Sequence, residues 1–402
     1  MFDIGIGVSL AGNSLVAAEE ALRQAWQHLN NRDKVDLAII FHSLDLSPAG
    51  IAKVLQTYLE GIPVAGASGN AVLCSKGVLK HGLVIALISF PEGIYCSSAS
   101  AAIRDRTPSA AGKDLSEKLL YGFKNIQRNF ALLLFDRLSD EGASFIAGLQ
   151  ETLGKSFPCI GASASSRTAP SKAVLYSNSD VLTESCTGIL WGGKINFGLG
   201  IKHGWKPLGK PHTVTSAAGA VINTIDGVAA VKLYEDYLAC DTARLKQELK
   251  KLSVAYPIGV RIPGEEEYLL RNIISIDDSG ALLCQGVVPE GATVRLMIST
   301  QETCLEATRA AIETAQKRLA NPGVNPHKDN LSRFAIVFSS FSRYNLLRRH
   351  AAKELQIIKE SLGPIPLLGL YTHGELAPLT ATSYRGQTYF HNQDFSVLLV
   401  EG

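Results

Sequence analysis

Cysteine motifs are the first thing this sequence lacks. Its seven cysteines are scattered and odd in number, and none forms a C-x-x-C pair. That distribution excludes a disulfide framework and argues against a structural zinc site. The nine histidines show no H-E-x-x-H motif or close pairing, so a zinc enzyme is not expected. A reduced, cytoplasmic setting fits these thiols best, and we predict no metal ligands.

Excess charge and long apolar runs are also missing. The chain has 39 basic and 37 acidic residues, a formal net charge of +2. Neither nucleic acid nor a membrane surface is therefore expected as the main partner. The best apolar run, residues 83–90, is only strand-sized, and no basic region precedes an apolar core at the N-terminus. We expect no membrane span and no signal peptide.

A repeated pattern is present instead. Three times a buried-type strand ending in phenylalanine precedes a helical segment and a Pro-x-x-Gly turn. The phenylalanines and their turn glycines are Phe41 with Gly66, Phe135 with Gly161, and Phe338 with Gly369. Strands that alternate with helices predict sheets covered by helices. We predict an α/β (mixed α+β) fold in which repeated β-α-β-β units form mixed sheets covered by helices, in two domains.

The middle of the chain departs from this pattern. Residues 204–219 are polar and turn-rich, and helices are predicted over 228–238 and 242–252. A β-rich block follows, with strands predicted over 254–260, 267–275, 281–285 and 293–298. The domain boundary is predicted near 225–230, which gives domains of residues 1–227 and 228–402.

Two local predictions concern helix starts. Residues 104–113 read as a surface loop before a helix over 115–126. The spacing Thr303-x-x-Glu306 predicts a capping box that opens a later helix.

The densest group of polar residues lies near the C-terminus, in the turn that ends at Glu375. The candidate ligand-binding residues there are Arg343, Tyr371, His373, Gly374, Glu375, His391 and Asn392. Arg343 could hold a carboxylate with two hydrogen bonds, and Glu375 could accept from an ammonium group. Together they suit a zwitterion such as an amino acid. The alternative is that Arg343 and Glu375 pair with each other and brace the turn.

Two earlier turns of small residues are further candidates for the floor of a pocket. Their candidate residues are Gly66, Ser68, Gly161 and Ser163. Tight packing between strand and turn would also require small side chains there. Neither turn has the G-x-S-x-G spacing of a nucleophile elbow, and no spacing supports a Ser-His-Asp hydrolase. Gly5-x-Gly7 lacks the rest of a dinucleotide fingerprint. We predict no catalytic residues.

These motifs together resemble the FIST family (F-box and intracellular signal transduction). The C-terminal half of that family is matched by Val337–Arg343, Gly369–Glu375 and His391-Asn392. The N-terminal half is matched more loosely, by residues 36–89 with their Pro63–Ser68 turn. The family often has a cysteine where this chain has Ser339-Ser340, and the chain carries no recognisable output segment.

The resemblance implies a stand-alone cytoplasmic sensory protein. Such a protein binds a small ligand, for which amino acids have been suggested, and signals through a separate protein partner. Some relatives are described as haem-binding gas sensors, which makes haem the alternative cofactor, with His391, His373 and Cys159 as candidate axial ligands. An enzyme that uses His373, Glu375 and His391 for acid–base chemistry is the third reading.

Overall fold

Three units of the chain repeat one order of strands and helices. A computed structural model describes residues 1–136, 142–165, 173–319, 332–379 and 387–402. The elements of the first unit are β1 (Asp3–Ser9), α1 (Ser14–His28), β2 (Leu37–Ser43), α2 (Pro48–Tyr58), β3 (Val64–Gly69), β4 (Ala71–Cys74), β5 (Gly77–Leu79) and β6 (Leu83–Ser89). Asn13 caps α1 by accepting from the backbone N–H groups of Leu15 and Val16.

The second unit follows the same order. Its elements are β7 (Ile94–Ala102), α3 (Pro108–Leu120), β8 (Arg128–Asp136), α4 (Gly142–Leu153), β9 (Cys159–Ala164), β10 (Leu175–Ser177), β11 (Asp180–Leu182) and β12 (Ser185–Gly193). The loop predicted over 104–113 is wrong, because α3 begins inside it. Thr107 accepts from Ala110 N, and Pro108 occupies the first helical position, where no backbone donor is needed.

The third unit is split by an insertion after its first strand. That strand is β13 (Asn196–Lys202). The inserted block, residues 203–300, contains β14 (Lys206–Ala218), β15 (Val221–Ile225), β16 (Val228–Ala229), α5 (Lys232–Leu238), α6 (Thr242–Ala255), β17 (Ile258–Arg261), β18 (Tyr268–Arg271), β19 (Ile273–Ile276), β20 (Leu282–Cys284) and β21 (Thr293–Ile298). The unit resumes with α7 (Gln301–Leu319), β22 (Arg333–Ser340), α8 (Phe341–Leu347), α9 (Ala351–Leu362), β23 (Leu367–Thr372), β24 (Glu375–Pro378), β25 (Thr388–His391) and β26 (Phe395–Glu401).

Several predictions for the inserted block need correction. Residues 228–229 are a strand rather than the start of a helix, and α6 continues through Ala255 into the segment predicted as a strand. The polar stretch 204–219 is largely the long strand β14. The capping box predicted at Thr303 and Glu306, just after the block, is also wrong. Thr300 and Thr303 exchange hydrogen bonds instead, and the helix starts three residues earlier than predicted, at Gln301.

Each unit builds one sheet and lends a hairpin to another. Among the described residues the sheet orders are β1-β6-β2-β3-β10-β11, β25-β24-β9-β8-β12-β7 and β13-β26-β22-β23-β4-β5. The hairpin of the first unit thus joins the sheet of the third, that of the second joins the first, and that of the third joins the second. This cyclic exchange ties the three units into one three-sheet body.

A single core lies between the three sheets, and helices cover their outer faces. The central residues include Phe41, Leu134 and Phe338, each at the same place in its unit. Three outer clusters join α1 and α2, α3 and α4, and α7 and α9 to their sheets. The inserted block has a core of its own around β14–β21. The predicted mixed α/β class is confirmed.

Gly5 and Gly7 serve this packing. A Cβ at either would lie 1.9 Å from Ala25 O or 1.7 Å from Ala21 O, so α1 packs directly on the strand backbone. Gly198 and Gly200 do the same for α7 in the third unit. The Gly-x-Gly pattern is therefore a strand–helix contact.

Candidate functional site

The small-residue segments 66–70, 161–165 and 369–375 were predicted as turns, but most of their residues belong to the strands β3, β9 and β23, so each turn begins later than predicted. The three segments meet where the parallel strands end. Each turn donates or accepts a backbone hydrogen bond to each of the other two. The bonds join Ser165 N to Ser68 O at 2.9 Å, Ser163 N to Gly374 O at 2.8 Å and Asn70 N to Tyr371 O at 3.1 Å. The repeated motif therefore forms a closed ring of turns at the end of the body.

The first two turns are packed tightly within this ring. A Cβ on Gly66 would lie 2.4 Å from Ile40 O, and one on Gly161 would lie 2.0 Å from Leu133 O. Ser68 and Ser163 are 2% and 6% exposed. Close backbone approach accounts for the small side chains, and a ligand-binding role for these four residues stays a prediction.

Arg343 is the centre of a buried network in the third unit. It lies in α8, is 0% exposed, and pairs through Nη2 with Glu354 Oε1 at 2.9 Å. Its Nη1 donates to His203 O at 2.5 Å, and its Nη2 also donates to Cys304 O and to Thr308 Oγ1, both at 2.8 Å. The predicted alternative of an Arg343–Glu375 pair is wrong, because α9 supplies Glu354 as the partner.

Glu354 is in turn saturated with donors. Tyr371 Oη donates to its Oε2 at 2.8 Å, and Ser339 and Thr308 donate at 3.3 and 3.1 Å. A buried ion pair needs such additional hydrogen bonds to offset the loss of water. Arg343 and Tyr371 thus belong to one network that joins α8, α9 and β23.

Glu375 lies in a second, less complete network. It is 0% exposed and accepts from Thr372 Oγ1 at 2.9 Å and from Asp394 N at 3.4 Å. Burial, followed by repulsion from the Asp394 carboxylate, raises the pKa of Glu375 well above its usual range. The folded protein therefore holds this proton to higher pH than an exposed glutamate does, which disfavours the charge that an ammonium group would need.

His391 and Asn392 lie beside Glu375. His391 faces Glu375 across the β24–β25 pair, and its Nε2 donates to Ala377 O at 2.9 Å. Its Nδ1 is 3.4 Å from Asp394 Oδ2. Asn392 Nδ2 donates to Gln285 O of the inserted block at 3.1 Å.

Unpaired polar atoms accumulate around this second network. Among the described residues, the buried polar atoms here without a hydrogen-bond partner are Arg343 Nε, His203 Nε2, Asn392 Oδ1, Gln393 Oε1 and Asp394 Oδ2. His203 Nε2 nevertheless lies 3.4 Å from Glu267 Oε2, and Asp394 Oδ2 lies 3.4 Å from His391 Nδ1. A buried polar atom left with no partner at all costs about 1–3 kcal/mol. Burial also lowers the pKa of His203, which keeps its imidazole neutral. Buried polar groups without full hydrogen bonding are concentrated at functional sites in proteins. This cluster therefore favours the third unit as the location of the functional site.

The inserted block docks on the same segment through its own polar residues. Arg271 donates to Phe390 O at 3.1 Å, and Gln285 Nε2 donates to His373 O at 2.9 Å. Burial lowers the pKa of Arg271 to about 10, which still leaves it charged. Contacts to the His373 turn and to β25 hold the block against the third unit.

A cleft of about 940 Å³ opens between the body and the inserted block. Apolar side chains such as Leu249, Ile274 and Phe341 form part of its lining. The polar and charged lining residues are Asp45, Asn70, Lys80, His81, Ser342, Asn345 and His373 from the body, and Lys246, Gln247, Lys250, Ser253, Asn272 and Gln285 from the block. His373 forms part of the floor, where its Nε2 lies 3.0 Å from Asn70 Nδ2. Of the predicted site residues, His373 alone lines this cleft, while Gly374, Glu375, His391 and Asn392 lie beside its floor.

Sequence reasoning missed the lysines and amides of the cleft. Lys246 and Lys250 are one helical turn apart on α6, so they present two amines on one face. The sequence alone could have predicted that these two amines share a helix face, but nothing in it places α6 opposite Asn70 and His373. Asp394, next to the predicted His391-Asn392 pair, was missed as well.

Two of the three candidate haem ligands do not fit an axial role. His391 is 1% exposed with its Nε2 bonded to a carbonyl, and burial raises the pKa of the Cys159 thiol to about 12. His373 bonds through its Nε2 to Asn70, and the cleft that it lines carries both lysines and apolar side chains, so a haem role for His373 stays a prediction. The enzyme hypothesis needs His373, Glu375 and His391 in one open site. Only His373 lines the cleft, since Glu375 and His391 are buried.

Comparisons with known proteins agree with a sensory class. The sequence models of the FIST N domain and the FIST C domain match residues 36–228 and 230–378. The chain belongs to the FIST family. FIST domains are generally sensory domains of signal transduction, and the two matches agree with a two-domain arrangement. The boundary at 227/228 stays a prediction, and strands from both sides of it share one sheet.

Named relatives add no finer role. An uncharacterized protein of Mycobacterium tuberculosis is 24% identical over 384 residues, covering 94% of this chain and 95% of its own. An uncharacterized protein of Methanocaldococcus jannaschii is 26% identical over 211 residues, covering 50% of this chain and 40% of its own. The crystal structure of cyanuric acid hydrolase from A. caulinodans aligns over 100% of this chain and 99% of its own, at 7% identity and a TM-score of 0.39. A TM-score of that size does not establish a shared fold.

Membrane and metal features were also sought in the part of the chain that the structure describes. None of its helices is both long and apolar enough to cross a bilayer. Its histidines, cysteines and carboxylates include no group of three or more that could hold a metal ion.

Proposed function

We propose that this protein is a cytoplasmic sensory protein that binds a small, amino-acid-like ligand in the cleft and signals through a separate protein partner. The observation that carries the proposal is the cleft itself. Two parts of the chain contribute amines, amides and an imidazole to one opening, and these groups suit a small anion or zwitterion.

The charges of the cleft favour a carboxylate on the ligand. Lys250 forms no ion pair among the described residues, and Lys80 contacts the ring of Tyr344 at 5.9 Å. Lys246 pairs only with the fully exposed Asp278, at 2.9 Å. These amines are available to hold a carboxylate without first losing a buried partner.

Asp45 is the group we assign to an ammonium. Burial opposes its charge, but hydrogen bonds from Ser43 and His81 outweigh it and lower the pKa of Asp45. The carboxylate therefore stays ionised at the edge of the cleft, where it accepts from Ser43 Oγ at 2.5 Å. Arg343 and Glu375, the predicted zwitterion ligands, act in this proposal as supports of the floor.

A thermal-shift screen against the twenty amino acids and simple carboxylates tests this function. A ligand that binds only the native state raises the melting temperature by mass action. We expect a selective shift that is lost in Lys250→Ala. The neighbouring Lys251 does not line the cleft, so Lys251→Ala is the matched control and should keep the shift.

Two outcomes would contradict the proposal. One is the absence of any shift across the whole panel. The other is a shift that survives in Lys250→Ala as fully as in Lys251→Ala, because the ligand would then bind elsewhere.

A further inference from the structure

The three sheets of the body meet at three equivalent seams. At each seam the edge strand of one unit lies against the start of the parallel strands of another. The first seam joins β1 to α9 and β23, the second joins β7 to β2 and β3, and the third joins β13 to β8 and β9. Because the architecture is shared, differences between the seams reflect the side chains placed there.

The second and third seams are closed or lined by polar groups. Ser98 Oγ of β7 donates to Asn178 Oδ1 at 2.9 Å across the second seam. In the third seam, Arg318 donates to Leu199 O at 3.1 Å and Asn129 to Ile195 O at 3.4 Å. The space left there is about 390 Å³.

The first seam is larger and apolar. It holds a groove of about 690 Å³. The apolar side chains that line it are Ile4, Ile6, Val8, Ile358, Leu362 and Ile365. Ile4 and Ile6 are half-buried although they pack against the central core, so the groove reaches toward the interior of the body.

Cationic side chains stand at the edge of this groove. Lys76 and Lys359 are both exposed lining residues, and neither has an ion-pair partner among the described residues. Lys76 lies in the turn between β4 and β5, and Lys359 lies on α9, the helix that packs against β5. Lys76 Nζ donates to the neutral Gln24 Oε1 at 3.3 Å, so no carboxylate among the described residues neutralises either amine. An apolar trough flanked by two such amines matches a molecule with an apolar tail and an anionic head.

We propose that the first seam binds an amphipathic carboxylate, with its acyl chain against Ile6 and Leu362 and its head group on Lys76 and Lys359. The groove volume lies within the usual range of ligand pockets, and the charge pairing selects an acid over an alcohol. This site is separate from the cleft and does not depend on the function proposed for it.

Helix α9 lines the groove of the first seam and also contributes to the buried network around Arg343. The helix carries Ile358, Lys359 and Leu362 in the groove and Glu354 in the network that supports Arg343. An acyl chain bound in the first seam therefore contacts the same helix that supplies Glu354 to the ends of the third unit's strands.

Calorimetric titration of the full chain with octanoate, decanoate and decanol tests the proposal, below the concentrations at which these compounds form micelles. We expect saturable binding of one decanoate, about fourfold tighter for each added methylene. Decanol should bind more weakly than decanoate. The double variant Lys76→Ala/Lys359→Ala should weaken decanoate at least tenfold and leave decanol unchanged.

Further variants, one inside the groove and two outside it, test whether decanoate binds at the first seam. Leu362→Glu places a negative charge in the groove and should abolish decanoate binding. Lys317→Ala, at the third seam, and Lys250→Ala, in the cleft, should bind decanoate as the parent chain does. The proposal is overturned if decanoate does not bind, or if Leu362→Glu or the double lysine variant binds it as tightly as Lys317→Ala.

Discussion

The first and third units share an order of strands but end their parallel strands in different chemistry. In the first unit, β2 and β3 end in Ser43 and Gly69 above a small-residue turn. In the third, β22 and β23 end in Ser340 and Thr372, beside a buried ion pair and a buried acid whose pKa is raised. The repeat therefore supplies a scaffold, and the third copy carries the polar specialisation.

The inserted block belongs to the same contrast. It follows β13, the first strand of the third unit, and docks on that unit through Gln285, which bonds to His373 O, and Arg271, which bonds to Phe390 O in β25. The first and second units carry no insertion at this place in the described chain. A cleft between block and body can therefore form at the third unit, where the unpaired buried groups are also found.

Removing Arg343 should cause the largest loss of stability, because, among the described residues, the buried ion pair is found in the third unit and not in the first. Arg343→Ala leaves Glu354 charged and buried without its partner, which should cost about 3–5 kcal/mol of unfolding free energy. Urea denaturation measures this loss. The exposed Arg349 is the control, and Arg349→Ala should change stability by less than about 0.5 kcal/mol.

A double variant separates charge from packing in this pair. Replacing both groups, as Arg343→Met with Glu354→Leu, should recover a large part of the stability lost in Arg343→Ala. If the double variant is no more stable than Arg343→Ala, the ion pair is not the source of the loss.

The strand glycines should behave alike in all three units. Gly66→Ala, Gly161→Ala and Gly369→Ala each push a Cβ to within 2.4, 2.0 or 2.1 Å of a backbone carbonyl oxygen. We expect about 1–3 kcal/mol of destabilisation from each, since backbone must shift. Gly12, which has open space, is the control. A large effect confined to Gly369→Ala would show that the three turns are not structurally equivalent.

Glu375 should give the third unit a pH dependence that the others lack. Its pKa is raised by burial, so the folded chain keeps a proton at pH values where the unfolded chain has lost it. Stability is therefore greatest below the unfolded pKa and falls as pH rises toward the folded one. Glu375→Gln should remove this fall in denaturation curves taken from pH 4 to 8.

The control for that measurement is the exposed Glu360. Glu360→Gln should keep the same decline with pH as the parent chain. A decline unchanged in Glu375→Gln would mean that Glu375 is ionised in the folded protein.

Lys250→Ala should have the smallest effect on stability. The side chain is exposed, so we expect a change within about 0.5 kcal/mol. The same variant should nevertheless lose the ligand-dependent rise in melting temperature. If Lys250→Ala were destabilised but bound the ligand normally, Lys250 would contribute to stability rather than to ligand binding, which would contradict its assignment to the cleft.

Local patterns predicted much of the fold. The phenylalanine, helix and Pro-x-x-Gly pattern located the parallel strand pairs of all three units, because burial and turn geometry act over short stretches. The hairpin exchange between units was not predictable. Strands as short as β5 or β11 carry too little pattern, and the sheet a hairpin joins depends on contacts far away in the chain.

The structure brings some of the predicted site residues together, and their ligand-binding role stays a prediction. His373, Glu375, His391 and Asn392 do lie together in the third unit. The assignment of Arg343 and Glu375 to a ligand failed to anticipate their burial, since sequence alone gives no depth. Glu354 lies 11 residues from Arg343 along the chain, and the turn between α8 and α9 brings the two together.

Hydrogen exchange with and without the amino acid or carboxylate that gives the largest thermal shift tests the central claim most directly. We expect new protection in α6 around Lys250, near Asn272 and Gln285, and at the His373 turn. The turns at Gly66 and Gly161 should change little. Protection confined to the first or second unit, with none in α6 or at His373, would contradict a cleft built by the third unit and its inserted block.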